Sequence, residues 1–430
     1  MSSTTSISGK SIVLYFNVHQ PFRLRKVGFL DIGEEMGYFN DHLNGTILQR
    51  IARTCYLPVN EMLRRLCEQN DNVRLTFSIS GPAIKQFVKY APEVLESFQA
   101  LVATGKVELL GETSHHSLAC LMPNDEFTEQ VRDHSNMMLH YFGFQPAVFR
   151  NTELIYSNSI GSRVAKLGFK GVICDDVDRV LEGKQRTGVY RHPVEKNLKV
   201  LTRQNDISDD IGFRFTDPHG LLDLKKYLKK IEHTEGVVTL GFDYETFGEH
   251  KSSSTGIIDF LRDLILNVTS SNTMKMATPS EVFQEINPTE TFDCPDFISW
   301  ADRDKDLSAW LENEIQNEAF LFLQNLEEQV RSQSNANLLD TWRNLQTSDH
   351  LYYMSTKTHG DGEVHSYFSP YNSPYEAYIN YMNILTDFQH KIQHAPTHES
   401  IESAEYERRH EPVPVWAERA QANYHELTSR

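Results

Sequence analysis

Between Ser11 and Ile286 the chain repeats one pattern: a short apolar run of strand length, a polar or charged tip, then a stretch with apolar residues at helical spacing. SIVLYFNVHQP ends in His19, Gln20 and Pro21, and VRLTFSISGP leads into a helical region 83–103 that stops near Gly105. VELLGETSHHS ends in Glu112, His115 and His116, and AVFRNTELIYSN ends in Arg150, Asn151 and Glu153 before a helix around 158–167. GVICDDVDR ends in Asp175, Asp176 and Asp178, VVTLGFDYETFGEH in Asp243, Glu245, Glu249 and His250, and MKMATPSEVFQEI carries a Pro-Ser-Glu helix start. Strand, tip and helix in this order predict a parallel α/β fold, and a barrel buries such strands on both faces. Active sites of barrels lie at the carboxyl ends of the strands, which are the polar tips. His19, Glu112, His115, Glu153, Asp175 and Asp243 are therefore expected on one rim.

The pattern changes after about residue 295. DLSAWLENEIQNEAFLFLQNLEEQV, 335–356 and 375–392 carry apolar residues at helical spacing, which predicts a C-terminal helical bundle. The expected division is a catalytic domain over 1–294, a helical bundle over 295–393 and a polar tail over 394–430. Lys and Arg number 42 against 59 Asp and Glu, a net charge of -17 with no compact basic block, so a nucleic-acid partner is not expected. The five cysteines are widely spaced and form neither a CxxC nor a Cys/His metal pattern, so they read as reduced, mostly buried thiols. MSSTTSISGK is followed by too short an apolar run for a signal peptide, and no stretch approaches the length of a membrane span. A cytoplasmic protein with no membrane partner is expected; its oligomeric state is open.

Two carboxylates on separate strand ends, Glu153 and Asp243, meet the basic requirement of glycoside hydrolysis. Tyr156, Tyr244 and Phe247 could stack on sugar faces, and His19, Arg150 and His250 could bond hydroxyls. Structural readings stand beside these. Glu249 and His250 could start or cap a helix, Asp175, Asp176 and Asp178 could form a solvated turn, and His134 and His140 read as surface residues of a helix. Trp300, Trp310 and Trp342 read as core rather than sugar platforms.

HQP at 19–21, VELLGETSHHSL at 107–118, FRNTELIYSN at 149–158, FDYETFGEH at 242–250 and DGEVHSYFSPYNSPYEAYINYMNIL at 361–385 together resemble the α-amylases of glycoside hydrolase family 57, in the family's order from about residue 10 to about 392. The resemblance implies an incomplete, seven-stranded β/α barrel followed by a helical bundle, and a retaining enzyme on α-glucans that needs no metal or other cofactor. It implies that Glu153 is the nucleophile and Asp243 the general acid/base. It also implies that His19 and Glu245 contact the sugar at the scissile bond, that His116 touches substrate, and that Asp361 is the acidic residue contributed by the helical domain. Glu112, Arg150, Phe247 and His250 complete the expected substrate-binding set. Some members carry Trp near the nucleophile where this chain has Phe149 and Tyr156, so subsite preferences do not transfer directly. Opposite protonation states are needed at the two carboxylates: Glu245 is expected as a negative neighbour raising the pKa of Asp243, with Arg150 and His19 keeping Glu153 ionised. A 4-α-glucanotransferase or branching enzyme uses the same glycosyl-enzyme and is the alternative. A metal-dependent polysaccharide deacetylase is a second alternative, although no HxxxH element starts at His115 or His116. A non-catalytic glucan-binding protein is disfavoured because both carboxylates are present.

Overall fold

The structure is a computed structural model that describes residues 9–394 except 35, 218, 219 and 289. The residues called a polar tail lie outside the described residues from 395 onward. In chain order the strands are β1 (Lys10–Val18), β2 (Leu75–Ile79), β3 (Val107–Leu109), β4 (Val148–Arg150), β5 (Gly171–Asp175), β6 (Val189–Arg191) and β7 (Lys199–Arg203). Then come a small antiparallel pair, β8 (Thr216–Asp217) and β9 (Gly220–Leu221), and β10 (Val238–Asp243). Last are the short pair β11 (Phe247–Gly248) and β12 (Lys251–Ser252), then β13 (Met274–Met276) and β14 (Glu290–Thr291).

One sheet runs β10-β1-β2-β3, all parallel, with β13 added to β1; the other runs β14-β6-β7-β5-β4, in which only β6 and β7 are antiparallel. Two seams join them. Gly111 donates to the Val148 carbonyl at 2.9 Å and Arg150 donates back to that of Gly111 at 2.8 Å, linking β3 to β4. Gln204 closes the other seam: its backbone N–H meets the Thr239 carbonyl at 2.9 Å, and its side-chain oxygen accepts from the Thr239 N–H. A Cβ at Gly111 would stand 2.7 Å from the Phe169 ring, so only glycine lets the first seam close. β1, β2 and β5 are buried almost throughout, as expected of parallel strands covered on both faces. The β1–β10 register sets Asn17 opposite Asp243, which brings two strand tips level.

The helix expected over 83–103 is two helices, Gly81–Tyr90 and Pro92–Val102. Pro92 has no N–H for the preceding turn to use and its fixed φ starts the next helix instead. Asn158–Lys166 forms the expected helix, and Thr278 and Glu281 make a reciprocal cap on Pro279–Glu285.

Beyond Ser308 the chain is helical: Ser308–Leu311, Glu314–Asn325, Glu327–Ser332, Ala336–Leu345, Asp349–Tyr352, His359–Phe368 and Pro374–His394. HGDGEVHSYF, too rich in charge and aromatic residues for a plain connector and expected as a loop at the rim, is the sixth of these. Trp310 and Trp342 are buried, and the apolar cluster they join also contains Phe149, Val172 and Val200 of the strands. A polar anchor reinforces it: Glu126 on the helix Glu126–Phe142 is fully buried and meets Arg331 at 2.6 Å and Arg343 at 2.8 Å. Charge-assisted bonds of this kind fix orientation as well as contributing energy. The C-terminal helices are thus pinned to the helix Glu126–Phe142 and packed against β4, β5 and β7. All five cysteines are buried and unpaired.

Candidate functional site

Glu153 follows β4 in an unusual backbone conformation: φ is 54° at Glu153 and 53° at Leu154, and φ is 49° at His116 after β3. Each left-handed non-glycine residue costs about 1–2 kcal/mol, so strain gathered at three tip residues must be held by the surrounding contacts. Those contacts converge on one carboxylate. His116 Nε2 lies 2.7 Å from Glu153 Oε1, and the Trp300 indole N–H donates to Glu153 Oε2 at 2.6 Å. Burial alone would raise the Glu153 pKa, but the bond and charge of His116, with Arg150 and Trp300, hold it below the ordinary value.

His116 is itself clamped. Its side chain is inaccessible, with Glu153 on one side and Glu112 Oε2 3.5 Å from Nδ1 on the other. Burial opposes its charge, but the two carboxylates prevail and push its pKa up to about 10. Glu112, also opposed by burial, is pulled down to about 2 by His116, His134 and Arg150. The cluster is a buried cation between two anions, with the Arg150 guanidinium 3.7 Å from Glu112 and 4.9 Å from the centre of the Trp300 ring. Arg203 lies over the same indole at 5.4 Å. Replacement of His116 by Gln removes the cation, so the acidic limb of kcat/KM is expected to rise by about 1–2 pH units, the value of a charge-assisted hydrogen bond. Stability has a matching signature. Because the folded His116 pKa lies above 6.5, its contribution is complete below pH 6.5 and fades as pH rises toward 10. Glu112, with a folded pKa below 4.5, contributes above pH 4.5 and loses that as pH falls toward 2. Melting curves should show the alkaline decline in the wild type and lose it in His116→Gln.

His19 stacks on His116 with ring centres 3.8 Å apart. Its Nδ1 meets the Ser80 hydroxyl at 2.7 Å and its Nε2 meets Asp349 at 2.9 Å. Ser80 also caps the helix Gly81–Tyr90 by accepting from Ala83 N–H, so its hydroxyl proton is free for His19. Burial and the adjacent His116 cation lower the His19 pKa against the pull of Asp349. His19 is thus a neutral imidazole donating to Asp349, and its effect on Glu153 runs through His116 rather than by contact.

Asp243 ends β10, half-buried, and accepts from Asn17 Nδ2 at 2.9 Å. β4 and β10 are separated by β1, β2 and β3 one way and by β5 and β7 the other, so Glu153 and Asp243 arise from opposite sides of the strand ends. Glu245 does not serve as the expected negative neighbour. It is buried, receives the Tyr56 hydroxyl, and is pushed up to about 8 by burial and then by Asp243, which leaves it largely neutral at pH 7. The tight turn after it needs Gly248, with φ at 122° and a would-be Cβ 2.0 Å from the Thr54 carbonyl oxygen. That turn delivers Glu249 to Arg50 at 2.7 Å and to the Thr54 hydroxyl at 2.8 Å, a structural task.

Other expectations are corrected. Phe247, Tyr244 and Tyr156 are inaccessible: Phe247 packs on Phe16 and Phe242, Tyr244 stacks on Tyr56 and bonds Asn60, and Tyr156 packs on Phe292. None can face a sugar. His134 is not on the surface; it accepts from the Glu112 N–H and bonds the Ile79 carbonyl, beneath the cluster. Asp175 and Asp176 are buried rather than solvated, because Asp175 pairs with Arg203 at 3.2 Å and with Lys305, and Asp176 pairs with Arg186 at 3.2 Å. His115 turns aside to Ser114, Lys85 and Asp340. Asp361 sits in the first turn of His359–Phe368, where a carboxylate suits the helix dipole, and among the described residues no hydrogen bond or ion pair joins it to Glu153, Asp243, His19 or His116. Asp349 is the acidic residue that the C-terminal helices bring to the cluster. Sequence reasoning also missed Trp300, which was read as core. Tyr352 was missed as well; it is stacked on His365 at 3.7 Å and lies within reach of the charges of Asp302, Glu153, Asp349 and Asp243. His365 bonds Asp302 at 3.1 Å, so that histidine supports Tyr352 rather than facing the opening.

The model of glycosyl hydrolase family 57 matches residues 13–295. A protein of Methanocaldococcus jannaschii named "Putative alpha-amylase" is 37% identical over 403 residues, covering 89% of this chain and 85% of its own. Among solved structures, a family 57-type branching enzyme from Pyrococcus horikoshii superposes with a TM-score of 0.64 at 14% identity, over 94% of each chain. An alpha-amylase from Thermotoga maritima does so with a TM-score of 0.61 at 13% identity, over 93% of this chain and 96% of its own. At such identities the structural likeness is one of fold, and the sequence matches carry the family. The chain belongs to glycosyl hydrolase family 57.

Proposed function

We propose that the protein is a retaining glycosidase that cleaves α-1,4-glucosidic bonds in α-glucans, with Glu153 as nucleophile and Asp243 as general acid/base at the carboxyl ends of an incomplete, seven-stranded barrel formed by β1, β2, β3, β4, β5, β7 and β10. The observation that carries the reading is the pairing at Glu153: both its oxygens are held, by His116 and Trp300, and its pKa is lowered despite burial. A half-buried carboxylate kept anionic and oriented is what attack on an anomeric carbon requires.

In the first step Glu153 forms a bond to the anomeric carbon as the glycosidic bond breaks, and the proton of Asp243 goes to the departing oxygen. Water then gives a proton to Asp243 and attacks the same carbon, breaking the ester to Glu153 and restoring the original configuration. His116 supplies positive charge beside the nucleophile throughout. The ion pairs of Asp175 with Arg203 and Lys305 disfavour the deacetylase reading, since its carboxylate already answers two cations. The helical third completes the rim through Asp349 and Tyr352. Asp349→Ala leaves His19 without its acceptor, and kcat/KM is expected to fall by about one to two orders of magnitude. Asp361→Ala should stay within a few-fold of wild type. Steady-state kinetics on maltooligosaccharides separates the two residues.

Incubation with maltoheptaose and chromatography of the products tests the reaction class. Shorter sugars alone are expected for hydrolysis; longer or branched products would mean that a sugar hydroxyl replaces water, as in a glucanotransferase or branching enzyme. No cleavage of the α-1,4-glucan would remove the reading.

A further inference from the structure

Tyr367 and Phe368 stand at the end of the helix His359–Phe368 with 64% and 42% of their surfaces exposed, an unusual placement for adjacent aromatic side chains. Their rings meet edge to face at 4.9 Å. Both also meet the edge of His250, at 6.0 Å for Tyr367 and 5.4 Å for Phe368. His250 is tied to the strand end by its backbone N–H, which donates to the Glu245 carbonyl at 2.8 Å. The three rings therefore form one continuous aromatic cluster that joins the turn after Asp243 to the end of the helix His359–Phe368.

Position decides what such a surface can bind. Glu153 is enclosed by His116, Trp300 and Arg150, and none of these belongs to the turn after β10. Tyr367 and Phe368 instead contact His250, in the turn after β10, the strand that ends in Asp243. The acid that protonates the departing oxygen stands next to the departing sugar, so a surface that adjoins the Asp243 strand end rather than the Glu153 one meets the glucosyl units on the leaving-group side of the bond. Flat apolar faces of glucose rings stack on exposed aromatic side chains, while the imidazole and the phenol supply bonds to the hydroxyls. The Asp243 and Glu249 charges both reach His250, which fits a ring at the edge of the reacting centre.

We propose that His250, Tyr367 and Phe368 form the subsite that binds the leaving-group segment of the α-glucan, and that the same surface holds an acceptor sugar when the glycosyl-enzyme is intercepted. The proposal rests on the assignment of Asp243 as the general acid and on the α-glucan reading. It gives the helix His359–Phe368 a direct part in choosing substrate length.

The test compares two substrates on the purified protein and on a Tyr367→Ala/Phe368→Ala double variant. Maltoheptaose needs sugar contacts on both sides of the bond, whereas a 4-nitrophenyl α-maltotetraoside carries all its sugars on the Glu153 side and an activated leaving group. The ratio of kcat/KM for maltoheptaose to that for the aryl substrate is expected to fall about four- to a hundred-fold in the double variant, since an aromatic contact is worth about two- to ten-fold each. Tyr367→Phe should preserve most of it. Both side chains are exposed, and circular dichroism with thermal melting checks that the variant is folded. An unchanged ratio overturns the subsite while leaving the α-glucan reading intact. A rising ratio overturns it too, because the rings would then obstruct the longer chain rather than hold it. If the wild type cleaves neither substrate, the α-glucan reading falls and takes the subsite with it.

Discussion

Glu153→Ala is expected to lose about four to six orders of magnitude in turnover of an aryl α-maltoside, the loss that follows removal of an attacking nucleophile from an otherwise intact site. The fold should survive, because the side chain is partly accessible and the apolar clusters do not depend on it. The loss should be partly reversed by azide. A small anion enters the space left by the carboxylate, attacks the anomeric carbon from the Glu153 side, and leaves a glycosyl azide of inverted configuration, with Asp243 still donating its proton. His116 remains in the variant and its cation attracts the anion. Rates near wild type in a folded Glu153→Ala protein would remove the assignment.

Asp243→Asn should cost about two to four orders of magnitude on maltooligosaccharides, the usual worth of a positioned general acid/base. The pattern across substrates matters more than the size. A nitrophenol leaves without protonation, so formation of the glycosyl-enzyme from an aryl substrate should be spared while its breakdown by water stays slow. A burst of nitrophenol followed by a slow phase is therefore expected. Azide should accelerate the slow phase and give a product of retained configuration, opposite to that from Glu153→Ala. Equal losses on natural and activated substrates, without a burst, would speak against the acid/base role.

The sequence made the polar groups of the proposed site legible because parallel strands put their carboxyl-end residues together, and Glu112, His116, Glu153 and Asp243 all end a strand or lie in the segment that follows one. It was weaker on which neighbours face outward. Tyr244, next to Asp243, and Phe247, three residues further, look like sugar platforms in a linear text, yet both turn into the aromatic cluster around Phe16 and Phe77. Adjacency along the chain does not tell the two sides of a turn apart. His134 was misread for the opposite reason. Its helix has an exposed side and a buried one, and the contact that decides between them, the Glu112 backbone, lies 22 residues away. Trp300 and Asp349 could not be found from local pattern, since they reach Glu153 and His19 across 147 and 330 residues. Asp361 was expected at the rim because its stretch carries part of the family resemblance, and Asp349 was not singled out at all. The helix that this stretch forms turns His365 inward and leaves the acid at its first turn.

The most direct test of the account is to trap the intermediate. A 5-fluoro-α-glucosyl fluoride, or the corresponding maltosyl reagent, leaves a glycosyl-enzyme that breaks down slowly, and peptide mass spectrometry locates the sugar. A single ester on Glu153 is expected, absent in Glu153→Gln and discharged by added maltose or water with recovery of activity. A sugar on another carboxylate, or no adduct together with a first product of inverted configuration, would contradict it.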